Sequence, residues 1–332
     1  MIHFIWSSKY PLIPGTGGSE VYTIGQVREL MRRGIDCDII SIGFGKRDGR
    51  KHFPDVKFKD VEPKDIESLD GTCVFVSQAV DVKTKNQSYV IFHCPPPKEE
   101  WEKEIYDKST KGKGIIVTSF AAAEAWARYF NVMRSEVSVV YPFADVAFSE
   151  AEQKKNTRPV ILFAGRLTPD KGIYTLLAAM HDKRLEKFDF KFVKASAHTP
   201  EGKIILKLLK AHPRVKLVEP RDNPRQMAQL LSSADVLVMP TSGQLFMETF
   251  GMLSIEAQQT GCRVVASDIG GLPETNIGGL TLVVPDNAVA LADCIVEAVK
   301  MGRMKATQRR KIKKLFTLED SVDNLLKAIS FS

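Results

Sequence analysis

The apolar positions of the chain fall into two successive series of short segments that alternate with helical patterns. In the first series, β-branched and apolar runs predict strands at Ile2–Trp6, Asp38–Ile42, Cys73–Val76, Val90–Phe92, Ile115–Val117 and Val137–Val140. Apolar residues recur at helical spacing over Ser19–Arg33 and Ala121–Phe130. This alternation predicts a parallel sheet with helices on its faces.

The same alternation begins again after a polar segment. Periodicity fails over residues 141–158, which predicts the linker between two domains. Further strands are predicted at Val160–Ala164, Phe190–Val193, Val215–Val218, Val236–Met239, Val264–Ser267 and Leu280–Val284, and further helices at Gly172–Met180, Gly202–Ala211, Pro224–Ser232, Met252–Thr260, Asn287–Lys300 and Leu318–Ile329. We therefore expect an α/β protein with two doubly wound domains, residues 1–150 and 151–315, and a cleft between them.

The composition indicates a cytoplasmic globular protein. Hydrophobic residues make up 44% and charged residues 26% of the chain, which is typical of soluble domains. No apolar run approaches the ~20 residues that cross a bilayer, and the N-terminus lacks the pattern of a secretory signal. The five cysteines show no paired spacing, so we expect reduced thiols.

The excess of positive charge lies in the second half of the chain. Residues 1–155 hold 22 Lys and Arg against 22 Asp and Glu, so the net charge of +7 comes from the 25 basic and 18 acidic residues that follow. The run Lys300–Lys314 contains eight basic residues and no acid. It is either a solvated helix face or a patch for anionic lipid headgroups. It contains no aromatic residues, which argues against nucleic acid as a partner.

Two glutamates flank a predicted strand-to-helix turn. Glu248 and Glu256 lie on either side of Gly251, directly after the strand Val236–Met239. The amides of a helix that starts at Gly251–Leu253 would favour an anion such as a phosphate, with the carboxylates placed to hold hydroxyl groups on either side of it. Such a ligand is a nucleotide sugar. Taken alone, the pair is better explained as acidic residues that suit the helix dipole.

Three other predicted strand ends carry candidate ligand groups, and each has a plainer alternative. Gly17 and Gly18 precede a helix, where backbone amides can approach an anion, although a surface loop has the same composition. His93 follows a strand and precedes three prolines that would hold it rigidly, although a lone histidine is more often a packed residue. Arg166 and Lys171 share one short loop, where they could bind phosphate oxygens or remain surface cations.

One acidic motif is a candidate for a metal site. Asp36-Cys37-Asp38 has the form of a nucleotide-sugar metal motif, but it precedes its predicted strand, which favours a cap at the strand entry. The remaining histidines have no metal-ligand spacing. We therefore expect no metal and no cofactor.

Taken in order, these elements resemble the signature of the retaining glycosyltransferases of the GT-B fold, family 4 (group 1). The matching residues are Gly17-Gly18-Ser19-Glu20, Gly165-Arg166, Lys171-Gly172, Glu248, Phe250-Gly251, Glu256-Ala257, Val264–Ser267 and Gly270–Glu274. The resemblance implies two Rossmann-like domains, the first for the acceptor and the second for a nucleotide sugar. It also implies that the last helix, residues 316–332, packs back on the first domain.

The resemblance implies a role for each candidate residue. Catalysis is assigned to His93, Arg166, Lys171 and Glu248. The donor would be bound by Gly17, Gly18, Arg166, Lys171, Glu248, Gly251, Met252, Leu253 and Glu256, with the two cations on the diphosphate, Glu256 on the ribose and Glu248 on the sugar. Gly18, Ser19 and His93 would face the acceptor. The expected reaction retains the anomeric configuration.

Several alternatives stay open at this point. The donor is expected to be a UDP-sugar ahead of a GDP-sugar, and the acceptor is a sugar, a lipid-linked glycan or a small molecule. A sugar-nucleotide epimerase of the same fold, and a non-catalytic protein that binds nucleotide sugars, would use similar residues. Peripheral contact with the inner face of a membrane is a further alternative.

Overall fold

The computed structural model describes residues 1–7, 12–14, 17–42 and 48–330, without the side chains of Asp48 and Glu100. These residues form two compact units. The first comprises Met1–Phe143 together with the C-terminal segment that starts at Phe316, and the second comprises Ala144–Leu315. Within the described ranges, no helix combines the length and the apolar character that crossing a membrane requires.

The first unit is built on a seven-stranded parallel sheet. Its strands are β1 (Ile2–Trp6), β2 (Cys37–Ser41), β3 (Phe58–Asp60), β4 (Thr72–Val76), β5 (Ser88–Phe92), β6 (Gly114–Val117) and β7 (Val137–Val139). Its helices are α1 (Gly18–Arg32), α2 (Asp48–His52), α3 (Glu100–Thr110), α4 (Phe120–Phe130) and, from the C-terminus, α12 (Leu318–Ala328). The strand order is β3-β2-β1-β4-β5-β6-β7.

The second unit repeats this plan with a six-stranded parallel sheet. Its strands are β8 (Val160–Phe163), β9 (Asp189–Val193), β10 (Val215–Val218), β11 (Val236–Met239), β12 (Arg263–Ser267) and β13 (Leu280–Val283). Its helices are α5 (Val146–Glu150), α6 (Ile173–Ala179), α7 (Pro200–Ala211), α8 (Pro224–Ser232), α9 (Met252–Thr260), α10 (Ala288–Met301) and α11 (Ala306–Ile312). The strand order is β10-β9-β8-β11-β12-β13.

Side chains of β1 explain why its sequence is a continuous apolar run. Ile2, Phe4 and Trp6 pack in the cluster that includes residues of α1 and α12, whereas Ile5 packs in the cluster on the other face with α4. Alternate residues of a strand point to opposite faces, so a strand covered by helices on both sides is apolar at nearly every position. The C-terminal helix α12 is thus part of the core of the first unit.

All twelve predicted strands are confirmed to within two residues, but several elements were not predicted. No apolar periodicity indicates α3 or α11, because each is rich in charged residues and presents few apolar positions. It also missed the short elements α2, β3 and α5. Helix α5 lies inside the segment that was predicted as a linker.

The Asp36-Cys37-Asp38 motif was predicted as a cap at the strand entry; Asp36 lies exposed directly before β2, but the prediction is wrong for Asp38. Asp38 lies inside β2 and is fully buried, and its Oδ1 lies 2.6 Å from the Nδ1 atom of His3 on the neighbouring strand. Lys59 of β3 reaches its second oxygen at 2.8 Å. Hydrogen bonds and opposite charge hold the pKa of this carboxyl below its ordinary value even though burial alone would raise it. Asp38 is therefore a charged element of the core, whereas Asp36 stays at the surface, paired with Lys57.

Candidate functional site

The six-stranded sheet changes direction between β8 and β11. From β8 the chain builds outward through β9 to β10, and it then returns to place β11 on the other side of β8. In open parallel sheets, ligands bind beyond the carboxyl ends of the two strands at such a switch point. The segments that follow β8 and β11 contain Arg166, Lys171 and Glu248.

The loops after β8 and β11 contact each other through their backbones. Ser242 donates its amide to the Asp170 carbonyl at 3.0 Å. Gly172 has a φ of 66°, and a Cβ atom built there would lie only 1.6 Å from the Pro240 carbonyl oxygen. Only glycine fits this close approach. Gly172 therefore lets the β8 loop lie directly on the end of β11.

This contact brings Lys171 and Glu248 together. The Lys171 Nζ atom lies 2.6 Å from the Glu248 Oε1 atom, and both side chains are largely shielded, with 16% and 14% of their surface exposed. The Thr241 hydroxyl donates to the same Oε1 atom at 2.9 Å. The Phe246 ring centroid lies 4.2 Å from the ammonium group. One carboxylate oxygen thus has two donors, and the cation has both an anionic and an aromatic partner.

Arg166 lies in the same loop but is more open to solvent. Its Nη2 atom lies 3.3 Å from the Asp170 Oδ2 atom, and 53% of its side chain is exposed. An exposed ion pair of this kind contributes little to stability. The guanidinium can therefore exchange Asp170 for a stronger anionic partner such as a phosphate at low cost.

Helix α9 begins at the turn that the sequence singled out. Its N-cap is Gly251, with a φ of 113°, and a Cβ atom there would lie 2.6 Å from a methyl group of Leu272. The amides of Met252 and Leu253 belong to the first turn, where a helix has no backbone acceptor of its own to offer them. A helix start of this kind favours an anionic ligand group.

Glu256 lies one turn into α9 and is half-buried. Burial raises the pKa of its carboxyl to about 7, and the charge of Asp145 at the N-cap of α5 adds to the shift. Such a carboxyl changes its charge near neutral pH. Glu256 is therefore the one group of this candidate set whose pKa is clearly raised into the physiological range.

In the first unit, the glycine-rich turn runs into α1. Gly17 and Gly18 are exposed, and Gly18 and Ser19 form the first residues of the helix. The Ser19 carbonyl accepts a hydrogen bond from the Thr23 hydroxyl. Gly15 and Thr16 lie outside the described residues. The two glycines and Ser19 thus lie at a helix start, as the sequence predicted.

His93 directly follows β5, and its ring meets an aromatic neighbour. The Tyr22 ring lies edge-on to it, with 4.8 Å between the ring centroids. Burial lowers the pKa of His93 to about 4. The imidazole is therefore neutral at neutral pH, where it can act as either a hydrogen-bond donor or an acceptor.

The structure adds residues that sequence reasoning missed. Thr241 and Phe246 contact the Glu248 and Lys171 side chains directly. Gln258, which is fully buried, donates to the Thr275 carbonyl and accepts from the amides of Ile277 and Gly279, so it ties α9 to the following turn. A polar residue at a strand end was the available signal for Thr241. No local pattern indicates Phe246 or Gln258, whose roles depend on distant partners.

Among the described residues, no group of three or more His, Cys, Asp or Glu side chains is arranged to hold a metal ion. The charged groups that the structure collects at the end of the second sheet are instead two cations and their acidic partners, Lys171 with Glu248 and Arg166 with Asp170. This arrangement is suited to a ligand that carries both negative charge and hydroxyl groups.

Comparison with known proteins identifies glycosyltransferases that are similar to the second unit. Residues 158–301 match the family model described as Glycosyl transferases group 1. Alpha-maltose-1-phosphate synthase of Mycobacterium tuberculosis is 27% identical over 223 residues, which cover 57% of this chain and 55% of that protein. D-inositol 3-phosphate glycosyltransferase of Corynebacterium diphtheriae is 30% identical over 193 residues, which cover 52% of this chain and 44% of that protein. The chain spans about half the length of these curated relatives.

Solved structures share the fold over the whole chain. A glycosyltransferase from Rickettsia africae superposes with a TM-score of 0.78 at 19% identity, covering 99% of this chain and 97% of the other. The Anabaena protein HepE, solved in complex with UDP and glucose, superposes with a TM-score of 0.76 at 16% identity. The match covers 100% of this chain and 99% of HepE. The predicted fold class, α/β of the GT-B type with two doubly wound domains, is confirmed. Together the matches support the glycosyltransferase superfamily.

Proposed function

We propose that this chain transfers a sugar from a nucleoside-diphosphate sugar to an acceptor hydroxyl, as a member of glycosyltransferase family 4. The observation that supports this most directly is the contact of Lys171 with Glu248 at the switch point of the second sheet, within the segment that matches the group 1 family model. A cation for the diphosphate and a carboxylate for sugar hydroxyls lie side by side there, as such a donor requires.

In this proposal the second unit binds the donor. Arg166 and Lys171 take the diphosphate, assisted by the backbone amides of Met252 and Leu253 at the start of α9. Glu256 accepts hydrogen bonds from the ribose, and Glu248 accepts them from the sugar. The anionic end of the ligand is thereby placed against the two cations, with its hydroxyl-bearing groups at the two carboxylates.

The chemistry requires stabilisation of a leaving diphosphate. The acceptor oxygen forms a bond to the anomeric carbon while the bond from that carbon to the phosphate oxygen breaks, and the departing diphosphate takes the electron pair. Negative charge on the phosphate grows as the bond breaks, so Arg166 and Lys171 stabilise the transition state more than the ground state. We propose front-face attack with retention of configuration, in which the leaving phosphate accepts the acceptor proton. The two cations supply the positive charge, and the proposal includes no metal and no cofactor.

We propose that residues of the first unit bind the acceptor. Gly18 and Ser19 at the start of α1, and His93 after β5, are the residues assigned to it. A neutral His93, whose pKa is lowered to about 4 by burial, can exchange hydrogen bonds with sugar hydroxyls without adding charge. Gly17 and Gly18 let the backbone approach a ligand closely.

A UDP-sugar is the proposed donor. HepE, which shares the fold, has been solved with UDP and glucose, and with UDP-glucose. The residues of the second unit do not select the acceptor. The candidate acceptors are a sugar, a lipid-linked glycan and a small molecule. A cytoplasmic location is proposed from the unpaired cysteines of the sequence, because thiols stay reduced in that compartment.

Two other functions make different demands on the same site. A sugar-nucleotide epimerase would release free nucleotide without an acceptor, and a nucleotide-sugar binding protein would release none. Neither explains as well why two cations lie where a leaving diphosphate would develop charge. Product analysis with and without acceptors separates the three functions.

The experiment begins with a thermal-shift panel of UDP-, GDP- and ADP-sugars, followed by assay of the best binder with candidate acceptors. We expect a UDP-sugar to raise the Tm most and a glycosylated product to form only with an acceptor. Lys171→Ala should abolish transfer while the protein stays folded. Arg158→Ala is the matched control, because this arginine pairs with Asp189 at the opposite end of the same sheet. Full activity of Lys171→Ala would refute the assignment.

A further inference from the structure

The outer face of helix α7 is apolar where a surface helix is normally polar. Ile205 and Leu209 point inward and are fully buried in the core of the second unit. The neighbouring residues Ile204 and Leu208 point outward, with 60% and 47% of their surfaces exposed. Residues four apart lie on one face of a helix. Ile204 and Leu208 therefore form a continuous apolar stripe, which the exposed Ala211 extends by one turn.

Three lysines border this stripe. Lys203, Lys207 and Lys210 are all exposed, and they lie beside the stripe on the outward half of the helix. Glu201, in the first turn, is the one acidic residue of the helix. The outward surface of α7 therefore combines branched apolar side chains with a net positive charge. We call these five residues, Ile204, Leu208, Lys203, Lys207 and Lys210, the α7 face.

A second exposed apolar pair lies on a helix with a different balance of charge. Trp101 and Ile105 of α3 are also four residues apart, with 67% and 46% of their surfaces exposed. Their helix contains Glu102, Glu104 and Asp107 as well as lysines, and Glu104 already pairs with Lys108 at 2.7 Å. The α3 pair thus resembles the α7 face in shape but carries no excess of positive charge.

The basic run at residues 300–314 does not offer the same combination. Arg303 is bound to Asp235 and the Ser232 carbonyl, and Arg309 to the carbonyls of Ser149, Ala151 and Gln259. Both guanidinium groups therefore stabilise the second unit. Helix α11, which lies in this run, buries its isoleucine, Ile312, and so presents charge without an outward apolar pair.

We propose that the α7 face docks on an anionic lipid membrane. Ile204 and Leu208 enter the boundary between headgroups and acyl chains, and the three lysines lie among the negatively charged headgroups. An amphipathic helix with this chemistry lies in the plane of the interface. Each lysine near an anionic surface strengthens binding by about fivefold. The proposal does not depend on the transferase activity.

Other occupants fit the α7 face less well. In a symmetric dimer the same face would meet itself, so that lysines would oppose lysines. A specific protein partner generally needs about 800 Å² of contact on each side, far more than two apolar side chains provide. Binding to a membrane needs no shape complementarity, and each side chain contributes to the affinity separately.

The test is sedimentation of the purified full chain with lipid vesicles. One set contains phosphatidylcholine alone and the other equimolar phosphatidylcholine and phosphatidylglycerol. We expect binding to the anionic vesicles only, with release at high salt because screening weakens the attraction of the lysines. Lys203→Gln, Lys207→Gln and Lys210→Gln combined should weaken binding by about a hundredfold.

Ile204→Ser combined with Leu208→Ser should also weaken binding to anionic vesicles by at least about tenfold. Trp101→Ser combined with Ile105→Ser is the matched control and should bind as the wild type does. All variants change exposed side chains, so an unchanged thermal transition confirms that they are folded. Sedimentation velocity reports the oligomeric state of each variant.

The proposal is overturned by any of four results. The wild type could show no preference for anionic vesicles, or both α7 variants could retain binding. Loss of binding in the α3 control but not in the α7 variants would place the contact on α3. A wild-type dimer that the α7 variants convert to a monomer would show that a second copy covers the face instead. None of these results bears on donor binding, which the nucleotide-sugar panel tests separately.

Discussion

The Lys171 ammonium and the Glu248 carboxylate form an ion pair of 2.6 Å at the junction of the loops after β8 and β11. A diphosphate that binds Lys171 replaces Glu248 as the anionic partner of that cation. Glu248 then has an oxygen available for a sugar hydroxyl. In the proposed site, the two residues should therefore have opposite effects on the binding of a nucleotide without a sugar, because Lys171 would attract its phosphates and Glu248 would compete with them.

Glu248→Gln should separate binding of nucleotide from transfer. The amide keeps the shape of the side chain but removes the charge that competes for Lys171, so the affinity for UDP should rise by about fivefold. The sugar loses its carboxylate partner, and transfer should fall by at least about a hundredfold. Isothermal calorimetry with UDP and a steady-state transfer assay measure the two effects. A parallel loss of UDP affinity and transfer would contradict the assigned role.

Thr241→Val should impair the orientation of Glu248. The hydroxyl donates to Glu248 Oε1 at 2.9 Å, and valine has nearly the same shape without the donor. A hydrogen bond to a charged group contributes about 1.5–3 kcal/mol, so kcat/KM should fall by roughly tenfold or more. Thr241→Ser keeps the hydroxyl and should retain most of the activity. Equal losses in both variants would indicate that the buried methyl group, rather than the hydroxyl, matters.

Phe246→Leu should weaken the hold on Lys171. The ring centroid lies 4.2 Å from the ammonium, and such a contact contributes about 0.5–2 kcal/mol depending on how far it is desolvated. We therefore expect the Kd for UDP to rise by about 2- to 30-fold. Phe246→Trp keeps an aromatic face and should bind nearly as the wild type does. Calorimetry distinguishes these results from equal affinities in both variants, which would assign Phe246 to packing alone.

These contacts show which parts of the site a sequence can predict. Arg166, Lys171, Glu248 and Gly251 were found because they occur at fixed positions relative to strand ends, and strand ends are marked by apolar runs such as Val236–Met239. Apolar runs of this kind also predicted twelve strands, and the structure contains all twelve. The pairing of Lys171 with Glu248 was not predicted, since it depends on Gly172 bringing two loops together that are separated by about 70 residues of chain.

The wrong and missing predictions have two physical causes. Helix α3 has few apolar positions, so its periodicity is hidden among charged residues. The Asp36-Cys37-Asp38 motif was expected to cap a strand entry because it precedes its predicted strand, whereas the structure buries Asp38 against His3. A buried charge is tolerated when its partner comes from a neighbouring strand, and no local pattern reveals that partner.

Binding of a donor should depend on pH through Glu256. Burial and Asp145 raise the pKa of this carboxyl to about 7, so it loses its proton as the pH rises through neutrality. The ionised form accepts two hydroxyl hydrogen bonds, so the affinity for UDP-glucose should rise between pH 6 and pH 8, roughly around the shifted pKa. A nucleotide sugar is used because the terminal phosphate of UDP itself titrates near pH ~6. Glu256→Gln should abolish this dependence.

The same shift predicts the opposite trend for stability. The pKa of Glu256 is higher in the folded chain than in the unfolded chain, so the protonated carboxyl stabilises the fold. That contribution is fully present below the ordinary pKa of a glutamate and is lost as the pH rises through about 7. Urea unfolding at pH 5 and pH 8 should therefore show a smaller decline for Glu256→Gln than for the wild type. An identical decline would contradict the shifted pKa.

Gly172→Ala should be strongly destabilising and should also impair nucleotide binding. The added Cβ atom would lie 1.6 Å from the Pro240 carbonyl oxygen, and the φ of 66° is itself unfavourable for alanine. Because backbone atoms form both sides of this contact, the β8 loop must move, at an expected cost of about 3 kcal/mol or more in unfolding free energy. That movement displaces Lys171 from Glu248, so the affinity for UDP should fall as well.

Gly34→Ala is the control for backbone strain alone, since its φ is 77° and nothing lies within 4 Å of the added atom. It should cost only about 1 kcal/mol and leave UDP binding unchanged. Equal effects of the two substitutions on urea unfolding and calorimetry would show that the close approach of Gly172 to Pro240 does not position Lys171.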